Sequence, residues 1–271
     1  MTESVQPISF RSDEITGQDL QRQIWVLDLQ AKIAGVRRLR DWTMAVLAPL
    51  PGETAVDVGS GTGECAQELA AAVGPDGDSV GVEPNAGMRE VATERAAAAG
   101  CTAKFVDGEA YALPLPDASV DVLRCERVFQ HLAEPERAAA EIARVLRPGG
   151  RAVVIDSDWA TAILHPSDPA VAGVFSQSML RRTANPLSGR RLPGLLTAAG
   201  LRVTDIGSQA LIQPSLENAM PLIQMGLTLG CQENLISAEA AHQFVADLTA
   251  AAAVGDFHMS VTMFAVLARQ P

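Results

Sequence analysis

Residues Val56 to Ala66 read VDVGSGTGECA: a short apolar strand delivers Asp57, then Gly59, Gly61 and Gly63 at alternate positions. Glycines spaced this way let the backbone take positive φ and approach a ligand closely. The helix expected after them offers unpaired N–H groups at its start. In the dinucleotide form of such a turn, GxGxxG, those N–H groups hold a pyrophosphate. Here the spacing is GxGxG, and Asp57 sets a carboxylate directly before the loop, which suits an ammonium group better than a phosphate. VGVEP then places Glu83 at the end of the next strand, about 20 residues on, where a carboxylate can accept from both hydroxyls of a ribose. The loop alone is a weak signal and reads equally as a structural turn. Combined with an acid ending the next strand, it is much stronger.

A second set of residues suits proton transfer. His131, in VFQHLAEP, follows a strand and falls on the rim where parallel sheets bind ligands. It is the leading candidate for a general base. Asp156 ends the following strand, and Asp158 and Trp159 come directly after it. Two neighbouring strand ends would then bring an imidazole and a carboxylate together, the carboxylate orienting the ring and raising its basicity. The same two residues also read as an acceptor-orienting imidazole and a strand-end cap. His165 lies in a loop before proline, and His242 and His258 carry no assigned role. The chain has no HExxH, and Cys65, Cys101, Cys125 and Cys231 form no CxxC pair, so neither a metal site nor a disulfide framework is expected.

The elements that must position these residues follow from periodicity and turn chemistry. Residues 18–48 read as helical, stopped by Pro49, Pro51 and Gly52. Strands are expected at 54–58, 79–82, 101–106, 120–124 and 151–156, alternating with helices at 63–73, 86–99 and 135–146. That alternation argues for parallel β-α units with helices on both faces of one sheet. Beyond residue 156 the beat breaks. Helices are expected at 168–183, 189–199, 215–229 and 237–253, with strands at 201–207 and 257–269.

The chain has 271 residues, 48% hydrophobic and 20% charged, which is ample for a core and too apolar for disorder. Lys and Arg number 21 against 32 Asp and Glu, a net charge of −11 that repels polyanions, so no nucleic-acid partner is expected. The start, MTESVQPISFRSDEITG, has no apolar signal region, and no run of ~18 apolar residues occurs. The expectation is a cytoplasmic protein with no membrane partner.

Four stretches carry a resemblance: VDVGSGTGE, VGVEPNAGM, GEAYALPLPDASVDV and VFQHLAEPERAAAEIARVLRPGG. In these the chain resembles the class I S-adenosylmethionine-dependent methyltransferases, and within them the ubiquinone/menaquinone-biosynthesis-type small-molecule group. The likeness is dense over about residues 54–156. It implies a Rossmann-like α/β fold with a seven-stranded, mostly parallel sheet, helices on both faces, an antiparallel last strand and helical lid additions. Residues 1–48 would be an arm and lid, and residues 49–271 the methyltransferase domain, with inserts at about 157–190 and 215–253. The cofactor implied is S-adenosylmethionine, with S-adenosylhomocysteine as product. Asp57 and the Gly59–Ser60–Gly61–Gly63 backbone would hold its methionine part, Glu83 beside Pro84 its ribose, and Met88 would pack on the adenine. Gly108–Glu109–Ala110 stands where the family usually has Gly-Asp-Ala, so Glu109 takes the place of the acid that accepts from the adenine amino group, with Asp107 as an alternative. The backbone at Arg124 and Cys125 would face the cofactor's amino-acid end. Some O-methyltransferases of this group pair a His and an Asp at positions like His131 and Asp156.

The acceptor would be a small molecule, a specialised metabolite of natural-product biosynthesis, with O-methylation slightly favoured over C- or N-methylation of an aromatic or quinone-like ring. Candidate pocket residues are Phe10, Trp25, Phe129, Trp159, Phe175, Met220 and Met225, whose aromatic and thioether surfaces suit a planar or apolar acceptor. At helical spacing they also read as core. The pairs Arg181–Arg182 and Arg190–Arg191 form a local basic patch that could dock an acceptor carboxylate. The assembly is expected to be a monomer or homodimer. Readings from other classes are an NAD(P)-dependent oxidoreductase, disfavoured by the GxGxG spacing and Asp57, and a non-catalytic cofactor-binding protein.

Overall fold

The computed structural model describes residues 17–166 and 168–271. Seven strands form one sheet: β1 (Thr54–Val58), β2 (Asp78–Val82), β3 (Lys104–Val106), β4 (Val120–Glu126), β5 (Leu146–His165), β6 (Arg202–Ile212) and β7 (His258–Arg269). Their order is β3-β2-β1-β4-β5-β7-β6, and β7 runs antiparallel to both of its neighbours. The pairs from β3 through β5 are all parallel. The chain reverses between β1 and β4, at the point where ligands of open α/β sheets bind beyond the carboxyl ends of the strands.

The helices are α1 (Gly17–Ala31), α2 (Ala34–Leu47), α3 (Glu64–Val73), α4 (Ala86–Ala98), α5 (Pro135–Val145), α6 (Pro169–Arg182), α7 (Ser188–Ala198), α8 (Leu216–Gln232) and α9 (Ala238–Ala253). The period of two along the central strands divides the core. Val154 and Val266 face one layer with Ile142 of α5 and Leu196 of α7. Val153, Ile155 and Ala265 face the other with Leu39 of α2 and Leu69 of α3. A third cluster joins Phe175 of α6, Ile223 of α8 and Leu248 of α9 to Leu164 and Met259 at the far ends of β5 and β7.

Two local features depart from the sequence reading. The helix expected at 18–48 breaks at Lys32–Ile33, giving α1 and α2 separate directions. Gly35 then lets α2 press on β6, since a Cβ there would lie 2.6 Å from the Ala210 carbonyl oxygen. The fifth strand does not stop at Asp156 but continues to His165 beside β7. Its register slips between Asp158 and Ile163, the stretch that contains Trp159. Phe10 lies outside the described residues, as does the arm expected at the N-terminus.

Candidate active site

The first-strand turn is built by conformation and by close packing. Gly59 and Gly63 take φ of 71° and 84°. A Cβ at Gly59 would meet Val128 Cγ2 at 2.3 Å, and one at Gly63 would meet Phe105 Cζ at 2.5 Å. Gly59→Ala is therefore expected to destabilise the fold by about 2–4 kcal/mol, from the left-handed backbone and overpacking together. In the double variant with Val128→Ala, melting should recover the packing part and leave the backbone part.

Asp57 is buried one residue before this turn, beside Arg124 on β4. Burial pushes its carboxyl up to about 7, against the opposing pull of the Arg124 guanidinium. Ser60 Oγ is buried with no hydrogen-bond partner. Glu83 directly follows β2 and folds back onto the loop: its Oε2 accepts from Gly61 N at 3.0 Å and its Oε1 from Asn85 N at 3.0 Å. Burial raises its carboxyl, and these two backbone N–H groups counter part of that rise. Each oxygen keeps a lone pair for a further donor. Asn85 caps α4 by accepting from Met88 N at 2.9 Å, which fixes Met88 as a buried residue of the first turn, next to Pro84. Glu109 is exposed beyond Gly108, in a small bridge with Ala112 that also holds Ala110. Asp107 is committed to Arg89 at 2.6 Å.

The end of β4 carries a buried charge network that the sequence reading missed. Glu126 accepts from Arg124 at 2.5 Å, from Arg40 of α2 at 3.1 Å and from Arg127 at 3.1 Å. Burial opposes its ionisation, but the guanidinium groups of Arg124, Arg127 and Arg40 overcome that and hold its carboxyl well below the usual carboxylate range. The Arg124 side chain pairs with Glu126 and Glu68 through its terminal nitrogens, while its Nε is buried with no hydrogen-bond partner. Cys125 is fully buried, and burial pushes its thiol well up, so it stays an inert core group.

Past β4, a single 3₁₀ turn spans Phe129–His131. Asp156 lies beneath it, fully buried, its Oδ2 accepting from Gln130 N at 2.8 Å and its Oδ1 from Ser157 N at 2.7 Å. Burial pushes its carboxyl up to about 7 against these N–H groups. Asp156 therefore secures the backbone that carries His131. The imidazole above it is lowered from its ordinary value, not raised. His131 is exposed on this turn, yet the surrounding protein and the Arg127 guanidinium pull its imidazole down to about 4. The ring is neutral at physiological pH and a weak base.

Several expected acceptor residues take other parts. Phe129 is fully buried in the sheet core, and Phe175 is buried among the insert helices. Trp25 is 52% exposed on α1. Met225 and Met220 are half-buried on α8. Three arginines of the expected basic patch are in ion pairs: Arg181 with Glu233 at 2.6 Å, Arg190 with buried Asp158, and Arg191 with Glu136 at 3.1 Å. Trp159 does reach the His131 turn, donating from Nε1 to Gln130 Oε1 at 2.9 Å.

Helix α1 lies across the loop. Leu27 Cδ1 comes within 3.3 Å of the position a Cβ on Gly61 would take, and Leu20 packs on Gly87 at the start of α4. Asp28 holds α1 to Arg95 of α4 through two bonds of 2.7 and 2.9 Å.

The methyltransferase domain family matches residues 56–154, the segment that contains both the loop and His131. A 37.1 kDa protein of transposon TN4556 from Streptomyces fradiae is 32% identical over 257 residues, covering 91% of this chain and 71% of that one. The chain belongs to the class I S-adenosylmethionine-dependent methyltransferases. A ubiquinone/menaquinone biosynthesis C-methyltransferase from Ectopseudomonas mendocina is 31% identical over 144 residues, 52% of this chain and 54% of that protein. The chain thus spans about half the length of that relative. A solved S-adenosylmethionine-dependent methyltransferase from Aquifex aeolicus superposes with a TM-score of 0.57 at 17% identity, covering 95% of this chain and all of that one, a likeness of fold.

The site of this methyltransferase fits the family's cofactor. It offers a turn that side chains would fill, a buried hydroxyl without a partner at Ser60, a buried acid at Asp57 and an acid with spare lone pairs at Glu83. Among the described residues, no group of three or more His, Cys, Asp or Glu is arranged to hold a metal ion, and no helix is long and apolar enough to cross a membrane.

Proposed function

We propose that this protein transfers the methyl group of S-adenosylmethionine to a small-molecule acceptor that needs no strong base from the enzyme. When bound, the cofactor supplies an electrophilic methyl group with a neutral leaving group. Asp57 would hold its ammonium group, Glu83 its ribose, and Met88 and Glu109 its adenine. The observation that carries the reading is the turn itself: positive-φ glycines packed against Val128 and Phe105, with a buried carboxyl at one end and Glu83 at the other.

The weak basicity of His131 bears on the acceptor. An imidazole drawn down to about 4 is a poor proton acceptor for an unactivated hydroxyl. It serves better as a neutral hydrogen-bond partner that orients the acceptor. That supports an electron-rich ring carbon, as in the ubiquinone/menaquinone relative, ahead of O-methylation. A hydroxyl that ionises readily in water is the second reading, since His131 need only steer it.

His131→Ala is accordingly expected to lower kcat about ten-fold, the size of a lost hydrogen bond. A general base would cost 10²–10⁴-fold. With saturating cofactor, the wild-type kcat should show no acid limb near pH 6.5 from this residue. A neutral imidazole in the folded protein protonates only as the pH falls through about 4.

The acceptor is found by incubating the protein and labelled methyl donor with a metabolite extract, then locating the label by NMR. Label on a ring carbon or an acidic oxygen agrees with the reading, and label on an aliphatic hydroxyl contradicts it. Binding of NAD(P)H in preference to S-adenosylhomocysteine would move the protein to the oxidoreductase class.

A further inference from the structure

Arg127, already paired with Glu126, also reaches away from that cluster to helix α1. It follows β4 directly, in the left-handed region at φ 58°, which a residue with a side chain rarely adopts. Its backbone N–H donates to the Ile155 carbonyl at 2.8 Å, so the turn is tied to the neighbouring strand. One side of its guanidinium pairs with Glu126 at 3.1 Å, while Nη1 donates to Gln30 Oε1 on α1. Gln30 lies three residues beyond Leu27, the side chain over Gly61. A second side-chain tie of α1, Asp28 with Arg95, is more than one-third exposed on both partners, whereas the Arg127 side chain is only 14% exposed.

We propose that Arg127 is a positioning residue that latches α1 over the glycine loop through Gln30, so that release of the cofactor product requires this contact to open. The inference rests on the loop being the cofactor site. Glu126 anchors the latch from below, and because Arg40 and Arg124 also neutralise Glu126, removing Arg127 does not leave that carboxylate unpaired. Glycine at position 127 also suits the left-handed backbone, so Arg127→Gly removes the side chain without a backbone penalty.

The test is the dissociation rate of S-adenosylhomocysteine, measured by stopped-flow displacement from the full chain. Arg127→Gly and Gln30→Ala are each expected to release the product about ten-fold faster, as for the loss of a hydrogen bond to a charged group. Gln30→Glu replaces a neutral acceptor with a carboxylate and should slow release several-fold. Arg127→Lys should restore part of the wild-type rate. A residue that only stabilised the fold would change melting and would not give opposite shifts with the two Gln30 variants. Wild-type release rates in Arg127→Gly and Gln30→Ala, or no slowing in Gln30→Glu, would overturn the latch. Wild-type protein that binds no product at all would instead overturn the cofactor reading on which the latch rests.

Discussion

Asp57→Asn is expected to weaken S-adenosylhomocysteine binding about ten- to a hundred-fold at pH 8, and much less at pH 5.5. The reason is a proton. In the ligand-free protein, burial pushes the Asp57 carboxyl up to about 7, so below that pH it is mostly protonated and carries no charge for an ammonium group. Binding a cation beside it favours the carboxylate and expels the proton. Wild-type affinity should therefore rise with pH up to about 7, by as much as ten-fold per unit, and flatten above it. Asn has no proton to lose, so the variant's affinity should be flat over the same range. A charge-assisted hydrogen bond of about 1.5–3 kcal/mol sets the size of the loss. The ligand-free protein should show the opposite trend in stability. Asp57 and Asp156 have folded values near 7, above the ordinary carboxylate value, so their contribution is full in acid and lost as pH rises through about 7. Melting of the ligand-free protein should be lower at pH 8 than at pH 6.

The largest effect on stability is expected at Glu126. Its carboxylate sits among Arg40, Arg124 and Arg127, and Arg124 is fully buried. Glu126→Gln keeps the shape but leaves three guanidinium groups around a neutral amide. Breaking a buried pair by removing one partner costs about 3–5 kcal/mol, because the remaining charge is left uncompensated. At this chain length that corresponds to a fall in melting temperature on the order of 10 °C. Calorimetric melting of the two proteins decides it, and a change of only a degree or two would show that the cluster is solvated and not a structural centre. Glu126→Asp should fall between the two, since a shorter carboxylate can keep some of the three partners.

What the sequence made legible follows from how local the signals are. The alternation of TAVDV, SVGV and RAVVID with helix-forming stretches dictated the parallel sheet, because β-branched strands and Gly-ended helices carry their pattern in adjacent residues. The glycine loop and Glu83 were legible for the same reason, since both lie at strand ends fixed by that alternation. The break of the N-terminal helix at Lys32–Ile33 left no such mark: the apolar face continues across it, and α2 is seated on the sheet by contacts distant in the chain, Gly35 with Ala210 and Trp42 with Gly207 of β6. The continuation of β5 to His165 was hidden because its outer half pairs with β7, more than ninety residues away in the chain. The Glu126 cluster draws Arg40, Arg124 and Arg127 from two separate segments, and charge in sequence gives no hint of burial. His131 and Asp156 were placed on one rim by the strand order, but which donors Asp156 serves is a matter of fractions of a turn. The two N–H groups it accepts from belong to Gln130 and Ser157.

Titration calorimetry of the wild-type chain with S-adenosylhomocysteine, run at pH 6.5 in two buffers of different ionisation enthalpy, tests the central claim most directly. Heat of binding that differs between the buffers by the amount for one released proton, or a large part of one, is the predicted result. It would show the nucleoside seated with its ammonium group on Asp57. No heat in either buffer would contradict the account, and so would binding with no proton released.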